Sequence, residues 1–194
     1  VCEPDVAPFR TFFEVPRTGT PPADFFLFSF PNDARVSAAG ALDMSDFPRP
    51  GPTFLGIDLI ALYVDALVAD FEGFSSTGAV TFRFSEQFNF DSLNGGENLH
   101  YIDVTPGAPE LGQDRARRFG YSTARQLFVC QNQLVVRNES HQPLLPGHTY
   151  AAVVTRAVLN RDTADQVSQD ADFAALVAGS APADARLQHA WDVY

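Results

Sequence analysis

Apolar residues recur at helical spacing through "TFLGIDLIALYVDALVADFEGF". Ile57, Ile60, Val64, Leu67 and Phe71 fall three or four apart, which predicts a helix over about 54–71 with one buried stripe. Thr53 is the expected cap and Gly73 the expected stop. The period then changes. In "AVTFRFSEQF" Val80, Phe82 and Phe84 alternate with Thr81, Arg83 and Ser85, the pattern of a half-buried strand. Further strands are predicted at 98–104 ("NLHYIDV") and 148–156 ("HTYAAVVTR"), with one long or two short runs at 127–138. The tail returns to helix in "DADFAALVAG" and "PADARLQHAWDVY", the second opened by Pro182. Residues 1–52 carry several prolines and one aromatic run, "FFLFSF", and are expected to form an extended arm rather than a domain.

The segment "LLPGHTY" adds a corner. In Greek-key sandwiches a tyrosine opening a strand can bond its hydroxyl to backbone just upstream. Pro146 and Gly147 would make that corner and Tyr150 would pin it. The expected fold class is therefore mainly β. One module over 1–194 is predicted, with an arm (1–52), an inserted helix (53–73), an antiparallel sandwich core (79–160) and a helical tail (170–194).

Composition narrows the function. The 194 residues include 18 phenylalanines, enough for an aromatic core. The formal charge is -11, and all 13 basic residues are arginine. Such a chain is expected to avoid nucleic acid and anionic membranes. Without lysine it has no P-loop, Schiff base or Ser-Lys dyad. No stretch is long enough to span a bilayer.

Cys2 and Cys130 are the two cysteines. Free core thiols or a lipidated Cys2 are alternatives. A disulfide tying the polar arm to the body is the expected arrangement, and it fits an oxidising compartment.

Candidate chemistry is sparse. "GFSSTG" (73–78) approximates a nucleophile elbow around Ser75 and Ser76, but the spacing is wrong and a helix precedes where a strand should. His100, His141, His148 and His189 form no metal-binding spacing. The acidic stretch Asn160, Asp162, Asp165, Asp170, Asp172 lacks an EF-hand pattern, and Asp170 or Asp172 is the expected cap of the next helix; a weak calcium site over 160–172 stays open. Asn138-Glu139-Ser140 is a formal glycosylation sequon. No catalytic residue, metal or cofactor is expected. Leu187, Trp191 and Tyr194 share one helix face and are the expected interaction face, toward further domains of the same polypeptide or another surface protein.

"VTFRFSEQFNFDSLNG" (80–95) and "QPLLPGHTYAAVVTRAVLNRDT" (142–163) resemble bacterial immunoglobulin-like domains of the S-layer and secreted-protein type. "FFLFSFPND" and "DFEGFS" resemble lead-in segments of such domains at the N-terminus of secreted lipase-like proteins and lipoproteins. Arg161-Asp162-Thr163-Ala164 departs from the Asp-x-x-Gly turn of that family. The resemblance implies a secreted, cell-surface or periplasmic sandwich module without an active site, acting as a spacer, docking or assembly domain of a longer bacterial protein. The alternative is an accessory domain of a serine hydrolase whose catalytic part lies beyond Tyr194. A carbohydrate-binding sandwich is less well matched, since most aromatics alternate as core.

Overall fold

The computed structural model describes residues 2, 5–16, 24–52, 56–93, 96–126 and 129–194. The protein is β-rich. Strands β1 (Ala79–Arg83), β2 (Leu99–Asp103), β3 (Arg117–Ser122), β4 (Gln133–Asn138) and β5 (Tyr150–Val154) form two antiparallel sheets. The larger has the order β1-β4-β3 and the smaller pairs β2 with β5. Helices α1 (Leu59–Ala69), α2 (Ala171–Leu176) and α3 (Ala185–Val193) lie outside the sheets.

One apolar cluster takes side chains from both sheets. Leu134 and Val136 of β4 pack with Leu99 of β2, and Phe84, Phe88 and Val158 fill the space between. Phe119 and Tyr121 of β3 and Val154 of β5 pack partly buried against it. Strand β3 escaped the pattern analysis. Its two aromatics alternate with Arg118 and Gly120, too short a signal to register. The predicted run at 127–138 is a strand only over β4. Asn132 just before it adopts φ 59°, which ends the extended backbone, and residues 127 and 128 lie outside the described residues.

Strand β1 is covered on both faces: Phe82 packs against the core and Phe84 just after it is fully buried, as the alternation predicts, but the polar face is buried too. Thr81 and Arg83 are buried, whereas Val80 and Phe82 are only half-buried. The cause is the first quarter of the chain, the expected arm, which hydrogen-bonds along β1. Phe12 N–H donates to Arg83 O at 2.9 Å and Ser85 N–H to Arg10 O at 2.9 Å, closing the open edge of β1 and its extension. Thr81 N–H donates to Phe30 O at 2.8 Å. The arm thus covers the face that carries Thr81 and Arg83. Asp24 meets the buried Arg83 guanidinium at 2.6 Å, and the Phe12 ring stacks on it at 5.0 Å. Burying an arginine needs such a counter-charge. Leu42 and Met44, within the predicted arm, are core residues beside Phe25.

The tail docks back on the same arm. Leu187 and Ala190 of α3 and Leu176 of α2 are buried against Phe13, Val15 and Phe28. Asp184 caps α3, accepting from Arg186 N–H at 2.9 Å, so Pro182 lies ahead of the helix rather than opening it. Arg186 then pairs with Asp172 of α2 through both oxygens. Cys2 and Cys130 form a disulfide across a separation of 128 residues.

Candidate functional site

Helix α1 begins later than its pattern predicts. Gly56 has φ 74°, outside any helix, and Asp58 is the cap, accepting from Ala61 N–H at 3.0 Å and Gly51 N–H at 2.8 Å. Thr53 and Phe54 lie outside the described residues. The predicted buried stripe is also corrected. Only Val64 is buried, against Phe25, Leu42 and Met44. Ile57, Leu59, Ile60, Leu67 and Val68 are exposed, and the outermost side chains are Leu62 at 57% and Tyr63 at 73% exposure. The physical reason is composition: Asp65 is the one charged residue within the helix, so apolar residues occupy every face. A stripe then carries no information about which face turns inward. Helices apolar all round are normally buried, and contiguous exposed apolar patches mark interaction sites. Arg49 reaches Asp65 at 2.9 Å across one flank.

The expected interaction face on α3 is only partly taken up by the chain itself, since Tyr194 stays 59% exposed. Leu187 is core, and Trp191 packs partly buried on the same cluster. The Tyr194 ring meets Phe13 at 5.6 Å edge-on, and its hydroxyl accepts from Asn32 Nδ2 at 2.8 Å.

At the corner, Gly147 has φ 76°, which suits glycine, and Leu145 N–H donates to the Tyr150 hydroxyl at 3.0 Å. The backbone group held by the tyrosine is therefore a donor. Tyr150→Phe should leave that N–H unpaired and lower stability by about 1–2 kcal/mol. An unchanged urea midpoint would show that water replaces the hydroxyl.

Beside the corner, His148 Nδ1 lies 2.7 Å from Asp103 Oδ2. Asp103 is fully buried and also accepts from Thr105 N–H at 2.9 Å. Burial alone would raise its pKa. The hydrogen bonds from the Thr105 backbone and side chain and from His148, with the histidine's charge, outweigh burial and hold it at about 2. The folded value lies below the ordinary carboxyl value of 3.8, so the contribution is full above that value and is lost as pH falls through about 2. Asp103→Asn should flatten the stability profile between those limits. Acid unfolding followed by circular dichroism reads this directly, and identical slopes for the two proteins would refute it.

The remaining candidates resolve into local structure. Ser75 and Ser76 sit in the turn between α1 and β1, where Ser75 Oγ accepts from Thr77 N–H at 3.2 Å and Ser76 O accepts from Leu144 N–H at 2.9 Å. Among the described residues neither serine bonds a histidine: His100 meets Asp114, His148 meets Asp103 and His189 meets Val36 O. Asn160 Oδ1 accepts from Asp162 and Thr163 N–H, Asp162 pairs with Arg161, and Asp170 caps α2. Asn138 is buried and its Nδ2 donates to Gln142 O at 2.7 Å, so the sequon is not presented by the folded chain. Among the described residues no group of three or more His, Cys, Asp or Glu side chains could hold a metal ion, and no helix is long and apolar enough to cross a membrane.

Comparison of the chain with protein-family models, characterised proteins and solved structures finds no significant match to any of the three.

Proposed function

We propose that this chain is a non-catalytic extracellular or cell-surface module, a docking or assembly domain of a larger secreted protein. The observation that carries the reading is α1, an apolar helix held against solvent by a single buried residue. Such a surface is costly to leave in water and suits a contact. The Cys2–Cys130 bond supports an oxidising compartment. An immunoglobulin-like sandwich is the fold we assign within the β-rich class. Its support is the core shared by both sheets and the Leu145–Tyr150 corner bond.

The test combines location and activity. In the producing cell, the chain should be found outside the cytoplasm with Cys2 and Cys130 bonded. The purified chain should turn over neither ester nor peptide substrates. A cytoplasmic chain with both thiols free would overturn the extracellular reading. Turnover that vanishes in Ser75→Ala/Ser76→Ala would overturn the non-catalytic one and make "GFSSTG" an active site.

A further inference from the structure

We infer that the outward face of α1 is covered by α1 of a second copy of this chain, the two helices antiparallel across a two-fold axis. The inference rests on the reading of α1 as a contact surface and identifies what meets it. With Val64 pointing inward, 3.6-residue spacing puts Leu59, Leu62, Ala66 and Ala69 at the centre of the outward face. All four are exposed. Their order is self-complementary. An antiparallel pair centred on position 64 sets Leu62 of one copy opposite Ala66 of the other, and Leu59 opposite Ala69. Large residues meet small ones at each level, which lets the helices approach closely and interdigitate. A two-fold contact requires this kind of self-matching patch.

The charged residues of the helix leave this ridge clear. By helical spacing Asp58 and Asp65 fall on one flank and Asp70 on the other, leaving the central ridge uncharged. With Asp65 paired to Arg49, Asp58 and Asp70 leave the flanks net acidic, which disfavours an anionic membrane as the occupant. Seven large apolar side chains along 57–68 are exposed. Of these, Leu59, Leu62 and Tyr63 lie on the outward half, whereas Ile57, Ile60, Leu67 and Val68 fall within about 60° of Val64 by the same spacing. Two such ridges meet over less area than a standard interface, so the dimer is weak and transient. The formal charge of -11 on each copy opposes association. The dimer should therefore tighten as salt rises and the Debye length falls from about 30 to about 8 Å.

The experiment is sedimentation equilibrium of the full chain, with variants at exposed positions that leave the core untouched. Wild type should show a monomer–dimer equilibrium that strengthens with salt. Ala66→Leu sets leucine against Leu62 and should weaken dimerisation about tenfold or more. Adding Leu62→Ala restores the large-to-small match in reversed order and should recover most of that loss. Both cysteines of the chain are bonded to each other, so an added one is the sole free thiol. Oxidising a mixture of Leu62→Cys and Ala66→Cys chains should give mainly the 62–66 crosslink. A chain that stays monomeric to about 0.5 mM would overturn the dimer but leave docking to another partner standing. Failure of the swap to rescue, or crosslinks mainly between identical positions, would overturn this pairing. Association with vesicles in place of a dimer would overturn it as well.

Discussion

Replacing Asp46 with alanine should lower the stability of the fold by about 3–5 kcal/mol, the usual cost of leaving one member of a buried ion pair without its partner. Asp46 and Arg35 are 5% and 2% exposed at the side chain and meet in a two-pronged contact at 2.7 and 3.1 Å. The Arg35 guanidinium lies over the Phe25 ring at 4.1 Å and near Phe28 at 5.4 Å. These aromatics shield it from water. Its Nε finds no partner among the described residues, so the carboxylate supplies most of what the charge has lost. Asp46→Asn keeps one acceptor and should cost less. Arg35→Met with Asp46→Leu removes both charges and should recover most of the stability lost by Asp46→Ala. Urea unfolding of the set checks this. A double variant no more stable than Asp46→Ala would mean that the pair acts through packing rather than charge.

That pair also shows where the sequence stops being readable. Arg35 and Asp46 lie in a stretch with no periodicity, and only the folded chain shows them as core. Arg83 has the same history. Alternation put it on the open face of β1, but Asp24 arrives from 59 positions away and makes burial affordable. Pattern analysis sees local period, not distant counter-charges. It therefore found β1, β2 and β5 and missed that the polar face of β1 is covered as well. The corner was legible because Pro146, Gly147 and Tyr150 act within a few residues of one another. The Cys2–Cys130 bond was legible because only one intramolecular pairing existed. Helix α1 was found as a helix yet misjudged as core. Periodicity locates a helix, but only contrast between its faces orients it, and α1 has little contrast. The interaction face was accordingly sought on α3, where this chain buries Leu187 and leaves Tyr194 exposed.

Reduction of Cys2–Cys130, or its replacement by two serines, should lower stability by about 2–4 kcal/mol. The bond closes a loop across a separation of 128 residues, and long loops lose the most denatured-state entropy when closed. Native contacts near the bond do not depend on it. Val6 N–H donates to Ser85 O at 3.1 Å, and Asn132 Nδ2 donates to Asp5 Oδ1 at 2.7 Å. The reduced chain should therefore keep the same fold, and the loss should arise mainly in the unfolded ensemble. Two signatures separate this from local damage. Circular dichroism of the reduced protein at low denaturant should match that of the oxidised one. The urea dependence should steepen slightly on reduction, because an unbridged denatured chain exposes more surface. Coincident unfolding midpoints with and without reductant would show that the bond constrains nothing the remaining contacts do not. A lost native spectrum would instead show that the segment around Cys2 is held by the bond alone. In the expected case, the chain reaches its full stability only where thiols are oxidised, which links the chemistry of two residues to the compartment proposed for the whole module.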